Sequence, residues 1–181
     1  MQKILRYLKN NQSGFSLMEV LAVLFIMTIG LVGILSLTLQ NIQVEDINKN
    51  RLVARQLSQE GIELIRRKRD TNWLQTGNCI LVPSDGCWKE DINAGTYKID
   101  YRYLTPIAVT GISETRLQNY AAGDDINLYA HDASEEDSPF YRLITISEPG
   151  INSLLVKSYI EWNEHGQTYS YVAETLLYDW Y

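Results

Sequence analysis

Residues suited to catalysis are scarce in this 181-residue chain. Histidine occurs twice, at His131 and His165, and neither stands in a metal-ligand or nucleophile–base spacing. There is no phosphate-binding glycine loop, no Gly-x-Ser-x-Gly and no zinc signature. The chain therefore reads as a protein that is not an enzyme and needs no cofactor. Positive charge is also short: 16 Lys and Arg stand against 22 Asp and Glu, a net charge of −6. That balance argues against general nucleic-acid binding, because phosphate backbones attract basic surfaces. Proline occurs four times and is absent before Pro83, so nothing breaks a helix over residues 15–73. Cysteine occurs only as Cys79 and Cys87, with no neighbouring His or second Cys pair to complete a metal site.

Charge is missing altogether from Val20 to Leu39. At about 1.5 Å per residue, a helix of that length crosses the roughly 30 Å of bilayer hydrocarbon. Three cations precede it (Lys3, Arg6, Lys9), and no acidic residue appears until Glu19. By the positive-inside rule the N-terminus stays in the cytoplasm and everything after Leu39 lies outside. On that side a disulfide persists, so Cys79 and Cys87 are a candidate bridge closing a small loop; two unrelated thiols are the plain alternative.

Four readings compete for residues 1–40. A secretory signal has a shorter apolar run with a small-residue cleavage site after it, and Leu39-Gln40-Asn41-Ile42 offers none. A lipoprotein signal needs a Cys at the cleavage point. A signal anchor fits the length but leaves Glu19 without a role, although a carboxylate costs about 2.5–3.5 kcal/mol at a membrane helix centre. The fourth reading accounts for it. Gly14-Phe15-Ser16-Leu17-Met18-Glu19, set between a basic flank and an apolar run, resembles the cleavage motif of type IV prepilins and type II secretion pseudopilins.

That resemblance implies several things. A membrane prepilin peptidase cuts between Gly14 and Phe15 and N-methylates Phe15. Residues 1–14 are a leader, and its removal takes three cations away, leaving −9 where the whole chain has −6. Glu19 meets the Phe15 amine of a neighbouring subunit during assembly; a snorkelling surface carboxylate is the bland alternative. The partners are the peptidase, other pilin subunits and the inner membrane. No nucleic acid is expected, although DNA would be a partner in a competence pilus. The assembled product is a cell-surface filament.

Helical grammar continues past the membrane. Ile47, Ala54 and Gly61 recur every seven residues, with Leu57 and Leu64 beside them and Glu45, Asp46, Lys49, Arg51, Arg55 and Glu60 between. This is an amphipathic helix with one stripe to bury. The expected plan is a filament-core helix over 15–39, an amphipathic helix over 40–73 and a β-rich head over 74–181, an α+β fold. A nearly continuous helix of about 85 Å follows. Many pilins carry a proline in the apolar half; here Gly30 and Gly33 stand instead, each weakening the helix by roughly 1 kcal/mol relative to Ala. The run Arg66-Arg67-Lys68-Arg69 is read as cations favouring a helix C-terminus, with an anionic-ligand patch as the alternative.

Beyond Trp73 the pattern turns to strands. Tyr97, Ile99, Tyr101 and Tyr103 alternate with Thr96, Lys98, Asp100 and Arg102, predicting a strand over 96–103. Further strands are expected over 141–147, 154–162 and 167–178, the last two joined at Asn163-Glu164-His165-Gly166. Residues 104–139 read as an insertion with one short strand at 126–130. Within it, Asp124, Asp125 and Asp132, near Glu135, Glu136 and Asp137, offer oxygen ligands suited to Ca²⁺. A solvated loop explains the same charges. The closing hairpin and the segment Ile29-Gly30-Leu31-Val32-Gly33 resemble PilV-like minor pilins, which implies a minor subunit of a pilus or secretion pseudopilus. The competing function is a membrane-anchored binding module that never polymerises.

Overall fold

The structure, a computed structural model, describes residues 14–75, 87–120, 128–131 and 136–179. The elements are one helix, α1 (Leu17–Gln75), and seven strands: β1 (Gly95–Lys98), β2 (Ile107–Ala108), β3 (Arg116–Tyr120), β4 (Leu128–Ala130), β5 (Asp137–Gly150), β6 (Ser153–Glu164) and β7 (Gln167–Tyr178). Two short 3₁₀ turns lie at Cys87–Lys89 and Ile112–Glu114. The fold is α+β with an antiparallel sheet. The chain divides into two compact units, Met1–Asp46 and Ile47–Tyr181, and each is described by itself.

In the first unit the Ser16 carbonyl accepts the N–H groups of Glu19 and Val20 (2.9 and 3.2 Å), which starts the helix. Glu19 sits in that first turn, where the helix dipole favours an anion. Every described side chain from Gly14 to Asp46 is exposed, and most are large and apolar. The two threonines fold their hydroxyls back onto the helix, Thr28 to the Phe25 carbonyl (2.8 Å) and Thr38 to the Ile34 carbonyl (2.9 Å). This satisfies their donors within the segment, as a hydrocarbon solvent requires.

In the second unit the rest of α1 lies against the sheet. The strands run β7–β6–β5, and the far edge of β5 is shared: β3, with β4 outside it, pairs one half, and β1, with β2 outside it, pairs the other. Ala54, Leu57, Gly61, Leu64 and Ile65 are buried, so the seven-residue pattern does mark the packed stripe. One core cluster joins Leu64 and Ile65 to Trp88, Ile92, Ile144, Val156 and Leu177. The other joins Ala54 and Leu57 to Leu117, Phe140, Ile160 and Trp162. Rings crown that second cluster: Tyr129 meets Phe140 edge-on at 5.8 Å, and Trp162 stacks on Tyr169 at 5.6 Å.

Two small residues let the helix approach closely. A Cβ on Gly61 would stand 2.6 Å from Ser158 Oγ and 2.8 Å from Ile144 Cδ1, so any larger residue forces these buried side chains to shift. One turn earlier, buried Ser58 donates its hydroxyl to the Ser158 carbonyl (2.9 Å) and accepts the Ala173 N–H (3.1 Å). Beside them lies Arg142, fully buried, bonded to the Ile99 carbonyl (2.8 Å) and paired with Glu60 (3.2 Å).

Three sequence expectations need correction. The strand predicted over 96–103 stops at Lys98, because Asp100 turns the chain by accepting the N–H groups of Arg102 and Tyr103. Residues 104–139 are no mere insertion: β2, β3, β4 and the start of β5 come from them. The basic run does not sit at the helix C-terminus, since α1 continues to Gln75 and its last turn holds no cation. Instead Arg66 pairs with Glu63, Lys68 with Asp91 (2.9 Å) and Arg69 with Asp70 (2.8 Å). The cluster is largely neutralised by its own neighbours.

Candidate processing and assembly segment

Residues 14–16 are non-helical and lead directly into α1. Gly14 is exposed and nothing approaches its Cα, and Phe15 is 82% exposed. The peptide between them thus lies in non-helical, exposed chain one residue before the Ser16 carbonyl that begins the helix. A protease needs such a segment, because a helical peptide bond must be unwound before it enters an active site. Glu19 follows one turn later. With Phe15, Val20, Val23 and Leu24 it borders one shallow hollow on the helix surface. Among the described residues Glu19 makes no ion pair. The helix that carries it is the one described helix long and apolar enough to cross a membrane. The basic flank of Lys3, Arg6 and Lys9 lies outside the described residues.

The other predicted site residues fall elsewhere. Cys87 opens the first 3₁₀ turn, and the described residues include no free thiol. Cys79 lies outside the described residues, as do Asp124, Asp125 and Asp132. No group of three His, Cys, Asp or Glu among the described residues is placed to hold a metal. His165 sits at the exposed β6–β7 turn, where its φ of 50° and the 77° of Gly166 make a two-residue hairpin loop.

One polar centre went unread in the sequence. Asp100 is only 4% exposed, and its carboxylate accepts the N–H groups of Arg102 (2.9 Å), Tyr103 (3.2 Å) and His131 (2.9 Å). Burial alone would raise the Asp100 pKa, but these backbone bonds and the Arg102 charge outweigh it and bring it below the usual carboxylate value. Arg102 also donates to the His131 carbonyl. The His131 ring is buried, with Nδ1 3.2 Å from the Arg116 carbonyl. Burial first, and then the Arg142 charge, lowers its pKa to about 4. His131 is therefore neutral at pH 7. These residues are 31 positions apart, and the only local signal was an Asp in a segment otherwise suited to a strand.

Comparison with known proteins bears on the N-terminal segment alone. Residues 9–35 match the prokaryotic N-terminal methylation motif, a stretch that contains Gly14, Phe15, Glu19 and the start of the apolar run. No curated protein and no solved structure matches the chain. The motif and the apolar helix together support a prepilin-like, membrane-anchored subunit, structural in character.

Proposed function

We propose that this chain is a minor pilin-like subunit, cut after Gly14 by a prepilin peptidase, N-methylated at Phe15, and assembled into a type IV pilus or a type II secretion pseudopilus. The observation that carries the reading is one of register. The methylation motif covers 9–35, its described residues 14–16 are non-helical and lead into α1, and it places a single carboxylate in the first turn of an apolar helix. Before assembly, α1 anchors the subunit in the cytoplasmic membrane, N-terminus inside and sheet unit outside. Cleavage leaves a cationic amine on Phe15, and methylation keeps it cationic. Glu19 supplies the complementary charge to a neighbour's amine. A lone carboxylate in an apolar bundle is costly, and leaving one member of a buried pair without its partner costs about 3–5 kcal/mol. The pair would therefore select one assembled register. On the outer side, a Cys79–Cys87 bridge would staple the connection between helix and sheet.

Glu19→Ala tests the assembly step. Cleavage and membrane insertion persist, while recovery in sheared filaments falls by an order of magnitude or more at ~1.4 kcal/mol per decade. Normal incorporation of Glu19→Ala would show that the charge pairing is wrong for this subunit.

A further inference from the structure

Strand β7 forms one edge of the sheet: among the described residues only β6 pairs with it, residue for residue along its 12 positions. We propose that this open edge takes up an extended segment of another polypeptide, alternately apolar and acidic, as an added strand. Its acidic side chains lie beside Arg51 and Arg55, and its apolar ones beside Val172 and Leu176. The inference goes beyond the filament reading and does not rest on it.

Two bonds assign the free backbone groups. The Ala173 N–H meets Ser58 Oγ, which itself donates to the Ser158 carbonyl of β6, and the Asp179 N–H meets the Asn152 carbonyl (3.1 Å) just before β6. Odd-numbered residues therefore turn their polar backbone groups toward β6. The two-residue period of a strand turns those of Ser170, Val172, Glu174 and Leu176 outward. Natural sheets blunt such edges with short strands, proline, lysine or bulges. The outer strands on the far side follow that rule, β2 with two residues and β4 with three. β7 has none of these devices: it is long, holds no proline and no cation, and keeps unbroken register with β6.

The two faces of the edge select the guest's side chains. On the outer face Val172 and Leu176 are 48% and 45% exposed, and Glu174 is held by Lys157 of β6 (3.1 Å). On the helix face Arg51 lies over the Tyr169 ring at 6.0 Å, and Arg55 over the Tyr171 ring at 5.8 Å. Both arginines are exposed, and neither has an ion-pair partner among the described residues. Tyr169 and Tyr171 are two positions apart on one face of β7, so acidic residues at i and i+2 of an adjacent strand come up beside both arginines. β7 itself carries no acidic residue on that face, so a second copy would bring cations and no anion.

The test uses the full-length chain in detergent and fluorescent octapeptides, titrated by anisotropy at low salt. Alternating Val-Glu is expected to saturate with Kd on the order of 100 μM, and alternating Val-Lys to bind at least about 10-fold more weakly. The double change Arg51→Gln, Arg55→Gln should weaken the Val-Glu peptide about 10-fold. Val172→Pro removes an N–H that faces the open edge, a place where sheets tolerate proline, and should abolish binding at an unchanged unfolding temperature. Val-Glu peptides N-methylated on their valine or on their glutamate amides should split, because a strand turns every second N–H to one side. One should bind like the parent and the other not at all. Equal behaviour of those two peptides would overturn strand addition, and equal binding of Val-Glu and Val-Lys would overturn the assigned charge. Dimerisation that Val172→Pro abolishes, with no peptide binding, would give the edge to a second copy and overturn the proposal. The readout does not depend on cleavage or assembly, so failure here and failure of the filament reading are told apart.

Discussion

The two units solve opposite problems of burial. From Leu17 to Asp46 the helix exposes nearly all of its apolar surface and carries one carboxylate, Glu19, in its apolar part. From Ile47 onward the same helix buries its stripe, and the sheet under it encloses charged groups that are held by bonds: Arg142 by Glu60 and two carbonyls, Asp100 by three N–H groups. The second unit makes its own solvent out of β-strands. The first has no such enclosure among the described residues, and its helix is long and apolar enough to cross a membrane. The same residue type therefore has different consequences in the two places, and substitutions can expose the difference.

The largest contrast is expected for aromatic truncation. Trp162→Ala removes a fully buried ring between Phe140 and Tyr169 and should cost about 3–5 kcal/mol of unfolding free energy. Phe25→Ala, in the exposed apolar run, should leave the unfolding midpoint of the sheet unit unchanged in chemical denaturation. A comparable loss from both would break the comparison.

Acid should act next. His131 takes up a proton when unfolded below about pH 6.5, but when folded only near pH 4. Its neutral burial thus contributes stability that is whole above pH 6.5 and is lost as pH falls toward 4, roughly 2 kcal/mol by pH 5. The lowered pKa of Asp100 acts in the same direction at lower pH, with stability present above its ordinary 3.8 and lost as pH falls through its folded value. Urea unfolding at pH 7 and pH 5 reads this, and His131→Gln should flatten the slope.

Glycine gives a contrast of sign. Gly61→Ala drives a methyl into Ser158 and Ile144 and should destabilise the sheet unit by about 1–3 kcal/mol. Gly33→Ala meets no atom within 4 Å and should raise helicity, worth about 1 kcal/mol. Thermal unfolding and helicity in detergent measure the pair. A comparable loss, about 1.5–3 kcal/mol, is expected for Glu60→Gln, which leaves Arg142 buried without its anion.

Linear signals were readable and distant ones were not. Gly14, Phe15 and Glu19 lie within six residues and in register with an apolar run, so the methylation motif could be found without a fold. The β6–β7 hairpin was legible because long alternating strands flank a turn with Asn and Gly, and β7 occupies residues 167–178 as expected. β2 and β3 escaped because they are two and five residues long and owe their existence to partners far away in sequence. Arg142 shows the limit most plainly. An arginine between Tyr141 and Leu143 gives no sign that it faces inward, since its partners come from α1 and from Ile99. Asp100 and His131 were opaque for the same reason: their bond joins a turn after β1 to the end of β4.

The N-terminal segment carries the central claim, and its chemistry can be weighed directly. Intact-mass and N-terminal peptide mass spectrometry of the protein extracted from membranes and filaments should find a chain that begins at Phe15 with one methyl group on its amine. A chain that keeps Met1 and Lys3 in the membrane form, with an unmodified Gly14–Phe15 bond, would contradict the account.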